Sequence, residues 1–111
     1  MTPRLPAHLE VGAMLRLAET QGGSGMVLSK GERDAGTILL VTQRRGREAE
    51  LFERMPGLDG SRAFTRTKAQ DEENPLEFSE YLDRRRRQDP DIWVVEIDVD
   101  DPVAFREQLP G

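Results

Sequence analysis

Arg54, Arg62 and Arg66 alternate with Phe52 and Phe64 across two short segments, the densest chemistry-bearing pattern in the chain. A hairpin symmetric about Leu58 would set Arg54 opposite Arg62, Phe52 opposite Phe64 and Glu50 opposite Arg66, all on one sheet face. Glu50–Arg66 is then a favourable pair. Arg54–Arg62 is a like-charge pair that needs an anion between its members, either a protein carboxylate such as Asp59 or a phosphate or carboxylate ligand. Arginines interleaved with aromatic rings also suit single-stranded RNA, where bases stack and guanidiniums meet phosphates. The competing arrangement, preferred here, buries Phe52 and Phe64 as core and leaves the three arginines at its rim.

A second cluster, Lys30, Arg33 and Asp34, lies in the glycine-bracketed segment Lys30 to Gly36 and carries more polar chemistry than a turn needs. Other chemistries find little purchase. His8 is the only imidazole, and no serine sits in the Gly-x-Ser-x-Gly elbow that raises a nucleophile. No catalytic residue is assigned. Asp98, Asp100 and Asp101 lack the glycine and closing glutamate of a calcium loop, so neither metal nor cofactor is expected. Gly22-Gly23-Ser24-Gly25 follows a helical pattern instead of opening one, which is the wrong order for a phosphate loop. Arg84 to Arg87 ends a helix, where Glu80–Arg84 and Asp83–Arg87 are i,i+4 pairs and positive charge complements the macrodipole. Arg85 and Arg86 continue the Phe78 and Leu82 rows, so their stems cover core edge.

The 111 residues predict one domain, 1–111. With 21 acidic against 16 basic side chains, the net charge of −5 argues against duplex DNA, which requires phosphate neutralisation. Lys30 and Lys68 are the only lysines, an arginine bias that suits recognition of carboxylates or phosphates but that codon usage in a GC-rich genome explains better. The cysteine count of zero removes disulfides, thiolate metal sites and thiol catalysis. No apolar run approaches the ~20 residues of a membrane span, and Met1 to Pro6 lacks a signal-peptide core. The expected location is cytoplasmic.

These residues need a scaffold, and hydrophobic periodicity supplies one. Val11, Met14, Leu15 and Ala18 mark a helix over about 7–21, with Glu10, Arg16 and Glu19 read off its stripe and Gly22-Gly23 as its stop. Strands follow at Met26 to Leu28, Ile38 to Val41, Glu48 to Arg54 and Ser61 to Thr67. Ile38 to Val41 is apolar at every position, so both its faces should be covered. Arg44 to Arg47 reads as a hairpin turn. Asn74, Pro75 and Glu77 form the start signal of a second helix, with Asn74 as N-cap and Glu77 closing a capping box. A last strand, Ile92 to Asp100, puts Trp93, Val95, Ile97 and Val99 on one face, and Asp101-Pro102 caps a short final helix. The order α-β-β-β-β-α-β-α predicts an α+β domain: a mainly antiparallel five-stranded sheet with helices on one face.

Four segments also carry a resemblance: Arg4 to Gly12, Lys30 to Leu39, Leu51 to Met55 and Asp89 to Glu96. On these the chain resembles, nearly end to end, a short bacterial family known only as a domain of unknown function. The resemblance supports one domain and implies no activity, cofactor or site. The functional expectation is a non-enzymatic module binding a protein partner or a small anion through Arg54, Arg62, Arg66, Lys30, Arg33 and Asp34. The alternatives are a small enzyme or enzyme subunit completed by another chain, and a single-stranded RNA binder on the Phe52/Phe64 face.

Overall fold

The computed structural model describes residues 5–56, 58 and 62–109, excluding the side chains of Pro56 and Arg62. Its elements are α1 (Ala7–Thr20), β1 (Ser24–Ser29), β2 (Ile38–Arg44), β3 (Arg47–Pro56), β4 (Arg62–Ala69), α2 (Pro75–Gln88), β5 (Trp93–Asp98) and α3 (Pro102–Glu107), the order expected. The five strands form one sheet in the order β1-β5-β2-β3-β4. β5 runs parallel to β2 and antiparallel to β1, so the sheet of this α+β fold is mixed and not the mainly antiparallel one expected. The reason is the chain segment through α2. It carries the chain from the β4 edge back across the sheet, and such a crossover can return a strand parallel to one already present. The Lys30-to-Thr37 link is long for a hairpin because it straddles the slot that β5 fills.

The expectation of helices on one face is also corrected. Ile38, Leu40, Trp93, Val95, Ile97 and Val99 pack under α1 and α3 with Val11, Met14 and Phe105. Leu39, Val41, Leu51, Ile92 and Val94 pack on the other side against Phe78 and Leu82 of α2. A strand apolar at every position needs cover on both faces, and β2 receives it.

Local signals account for most element boundaries. α1 ends where Gly22 takes φ +81° and the amides of Gly22 and Gly23 reach back to Glu19 and Ala18, a Schellman closure. Arg45 and Gly46 both have positive φ in the β2–β3 turn, as a type I′ hairpin requires, and the Asp98 carboxylate accepts from both amides at 2.8 and 2.9 Å. Asp101 caps α3 by accepting from the Ala104 amide at 3.0 Å. The capping box of α2 does not form: Asn74 makes no side-chain cap, and Glu77 instead meets the Lys68 ammonium at 2.7 Å. An ion pair to the neighbouring strand has displaced a local bond.

Candidate functional site

The Lys30-to-Gly36 segment works mainly through its backbone. α1 lacks a side-chain N-cap, and its first amides are taken by this link: Ala7 donates to the Asp34 carbonyl and His8 to the Arg33 carbonyl, both at 2.9 Å. The Glu32 carbonyl accepts the Trp93 indole N–H at 2.6 Å, and its carboxylate accepts the amides of Asp34 and Ala35. A Cβ on Gly31 would lie 2.1 Å from the Asp91 carbonyl, so the link can lie this close to the end of α2 only as glycine. Lys30, Arg33 and Asp34 are exposed, with His8 Nδ1 3.7 Å from the Asp34 carboxylate.

The arginine–aromatic pattern shares one face, but in a different register. Arg54 pairs with Phe64, Phe52 with Arg66 and Pro56 with Arg62, a two-residue slip from symmetry about Leu58. A slip of two keeps every side chain on its face, which is why alternation could not reveal it. β4 also contributes one extra residue, Thr67, between the partners of Phe52 and Leu51. Arg66 still reaches Glu50, diagonally, at 2.8 Å. Asp59 and the Arg62 side chain lie outside the described residues.

Arg54 is held by a partner that sequence reasoning missed. Its guanidinium forms a two-pronged ion pair with Glu10 of α1 and lies 4.4 Å from the Phe64 ring centroid. The two side chains are 11% and 6% exposed, so the pair is buried. Its charge sets Glu10 off the apolar stripe in the sequence, yet it sits three residues after Ala7 and four before Met14, on the buried face. Its burial is tolerated because Arg54 meets it. Phe52 is core at 4% exposure and carries the Arg106 guanidinium 4.2 Å above its ring. Both rings are already covered by cations of the chain, so neither is a bare stacking platform.

Beside this ion pair, α1, β4 and the α3 end border a partly open cavity of about 160 Å³. Its walls are Met14, Leu17, Phe64 and Leu109, with Glu10 and Arg54 on one side. On the opposite face of the sheet, next to α2, lies an open groove of about 400 Å³. Val41 and Val94 form its floor, and Leu28, Gln43, Arg86 and Glu96 stand around it.

The arginine run ties α2 to the sheet. Arg85 reaches Glu53 of β3 at 2.9 Å and donates to the Tyr81 hydroxyl at 3.1 Å. Burial pushes the Glu53 carboxyl up, but the hydrogen bonds from Arg85 and Thr67 and the Arg85 charge outweigh it, and the net shift is downward. Arg85 is raised chiefly by the same bond, against the opposing effect of burial. Arg86 pairs with Asp83, one turn earlier, instead of the expected Asp83–Arg87 contact.

The two sheet edges differ sharply. β4 carries Arg66 and Lys68, charges that discourage a further strand. β1, Ser24-Gly25-Met26-Val27-Leu28-Ser29, has neither charge nor proline, and Met26 is 59% exposed. On β5 beside it, Glu96 takes one hydrogen bond, from Gln43 at 3.1 Å, and no ion pair among the described residues. Also among the described residues, no three His, Cys, Asp or Glu side chains converge as metal ligands, and no helix is long and apolar enough to cross a membrane.

The chain belongs to the family described as "Protein of unknown function (DUF1491)", whose model matches residues 5–107. It is similar to a crystal structure of a family member from Caulobacter crescentus CB15, at 35% identity and TM-score 0.77, over 92% of this chain and 94% of that one. An NMR structure of a family protein from the same organism is 34% identical, with TM-score 0.75 over 98% and 97% of the two chains. A solution structure of a protein from A. tumefaciens is 27% identical, with TM-score 0.75 over 98% of each. No curated protein matches the chain.

Proposed function

We propose that this member of an unassigned family is a non-catalytic binding module whose partner is a protein, received as an extended segment along β1. The observation that carries the reading is the contrast between the two sheet edges. An edge strand presents backbone donors and acceptors to a further strand, and β1 carries no charged residue or proline of its own, although its Leu28 carbonyl accepts from Arg86 at 3.4 Å. An added strand gains affinity from main-chain bonds and specificity from alternate side chains. Here those side chains would meet Met26 and Leu28, with the groove beside α2 to receive larger ones. Glu96 and the acidic balance of the chain favour a segment with a Lys or Arg among apolar residues. The small-anion reading is weaker, because Arg54 and Arg66 already hold carboxylates, which among the described side chains of the candidate set leaves the exposed Lys30 and Arg33 for it. The cytoplasmic location expected from the sequence accompanies this reading.

The test is selection from a random hexapeptide library, followed by mapping of selected peptides on the amide NMR spectrum. Apolar–basic sequences that shift β1 amides, and that fail to bind Met26→Lys protein, are the expected result. Selection of nothing, or shifts confined to other elements, overturns the proposal. So does a second copy of the chain occupying the edge, seen as concentration-dependent dimerisation. Inorganic phosphate that saturably shifts Lys30 and Arg33 while peptides do nothing would replace the partner with an anion.

A further inference from the structure

We infer that the cavity on the α1 and α3 side is a ligand site for a small uncharged molecule with an aromatic body and a carbonyl-bearing head. The inference is independent of the peptide reading, since this cavity and the groove beside α2 lie on opposite faces of the sheet.

Size sets the first limit. At about 160 Å³ the space is comparable to dry engineered cavities of about 150 Å³ that bind benzene. Met14, Leu17, Phe64 and Leu109 present hydrocarbon or ring to it, which selects an apolar body. The polar side decides the head. Buried ion pairs are costly, because the attraction barely offsets the loss of water from both charges, and an apolar pair would fill the same space more cheaply. This one stands in the cavity wall, where an apolar pocket with a few convergent polar groups is the usual form of a small-molecule site.

The Arg54 guanidinium has more N–H donors than its two bonds to Glu10 consume, and it lines the cavity. A neutral carbonyl oxygen can accept from those donors. The exposed Gln108 amide at the rim can complement an amide head. An anionic head would meet the Glu10 carboxylate, and a cationic head would meet the Arg54 guanidinium, so an uncharged head is the one that neither side chain repels.

Benzamide is the probe, with toluene, benzoate and benzamidine as its apolar, anionic and cationic counterparts. Amide NMR titration should show saturable benzamide shifts at Ala13, Leu17, Phe64 and Leu109, together with a rise in Tm. Ala13→Leu fills the cavity from α1. It should weaken benzamide by about tenfold or more while the variant keeps its own Tm at or above that of the parent. Toluene should bind more weakly than benzamide, and both charged analogues more weakly still. Three results overturn the inference: no saturable shift with benzamide, undiminished affinity in folded Ala13→Leu, or a charged analogue or toluene binding as tightly as benzamide. None of them bears on β1, so failure here leaves the peptide test standing.

Discussion

Replacing Glu10 with leucine should cost far more than a helix substitution normally does, because it leaves the Arg54 guanidinium buried without its carboxylate. Breaking a buried ion pair by removing one partner costs about 3–5 kcal/mol. Two features of the structure place this case at the lower end. Arg54 retains 11% exposure, so its head can shift towards water, and the Phe64 ring beneath it continues to attract the cation. A loss of about 3 kcal/mol is expected from a domain whose total stability is of the order of 5–15 kcal/mol. At roughly 4 °C per kcal/mol, Tm should fall by about 12 °C. Glu10→Leu combined with Arg54→Met removes both charges and keeps the volume apolar, so it should return to within about 1 kcal/mol of the parent or exceed it. Urea titration of the four proteins, with m unchanged, gives the coupling as a double-mutant cycle. A Glu10→Leu loss under about 1 kcal/mol, or a double variant whose loss is the sum of the singles, would refute the buried-pair argument.

Two further outcomes follow from single contacts. Thr42 is 1% exposed and its hydroxyl finds no partner among the described residues, so Thr42→Val should raise stability by about 1 kcal/mol, visible as a higher urea midpoint; a lower midpoint would mean the hydroxyl is satisfied. The Glu53–Arg85 tie should shape the acid limb: because the Glu53 carboxyl is lowered in the folded chain, its contribution is full above the ordinary carboxylate value of 4.5 and disappears as pH falls through the lowered one. Arg85→Met should therefore cost most near neutrality and converge with the parent in strong acid; a constant deficit down the acid limb would contradict the assignment.

What the sequence made legible was local, and what it hid depended on distant partners. The stripe Val11, Met14 and Ala18, the Gly22 stop and the Asp101 cap each depend on residues within a turn or two, and all three are found in place. The apolar run in β2 announced cover on both faces, which already conflicted with a single helical layer. β5 slides between β1 and β2, an insertion that no periodicity can display because it joins strands more than fifty residues apart. The β3–β4 register escaped for a different reason: alternation has period two, so a two-residue slip is silent. In the candidate site the same division holds. Arg54 and Phe64 were legible as neighbours on one face, whereas Glu10 was discounted by its own charge. Its partner lies 44 residues along the chain, and only the fold brings them together.

The Lys30-to-Gly36 link shows why a segment rich in charged residues need not be a charged site. Its length is set by the distance across β5, its glycines by contact with the Asp91 carbonyl, and its carbonyls by the open amides at the start of α1. Trp93 then fixes it to the sheet through one indole bond. Each role uses backbone or a small residue, so the outward side chains of Lys30 and Arg33 are what the architecture leaves unconstrained. Sequence likeness in this segment is therefore accounted for by the fold. At β1 the fold explains Gly25, whose Cβ would lie 2.6 Å from Leu15, but it places no such demand on the exposed Met26. A guarding lysine there would cost the fold little and protect it from aggregation. Its absence, beside a Glu96 that has no ion pair among the described residues, suits a strand-receiving edge, and that is why the Met26→Lys comparison tests the function while leaving the core untouched.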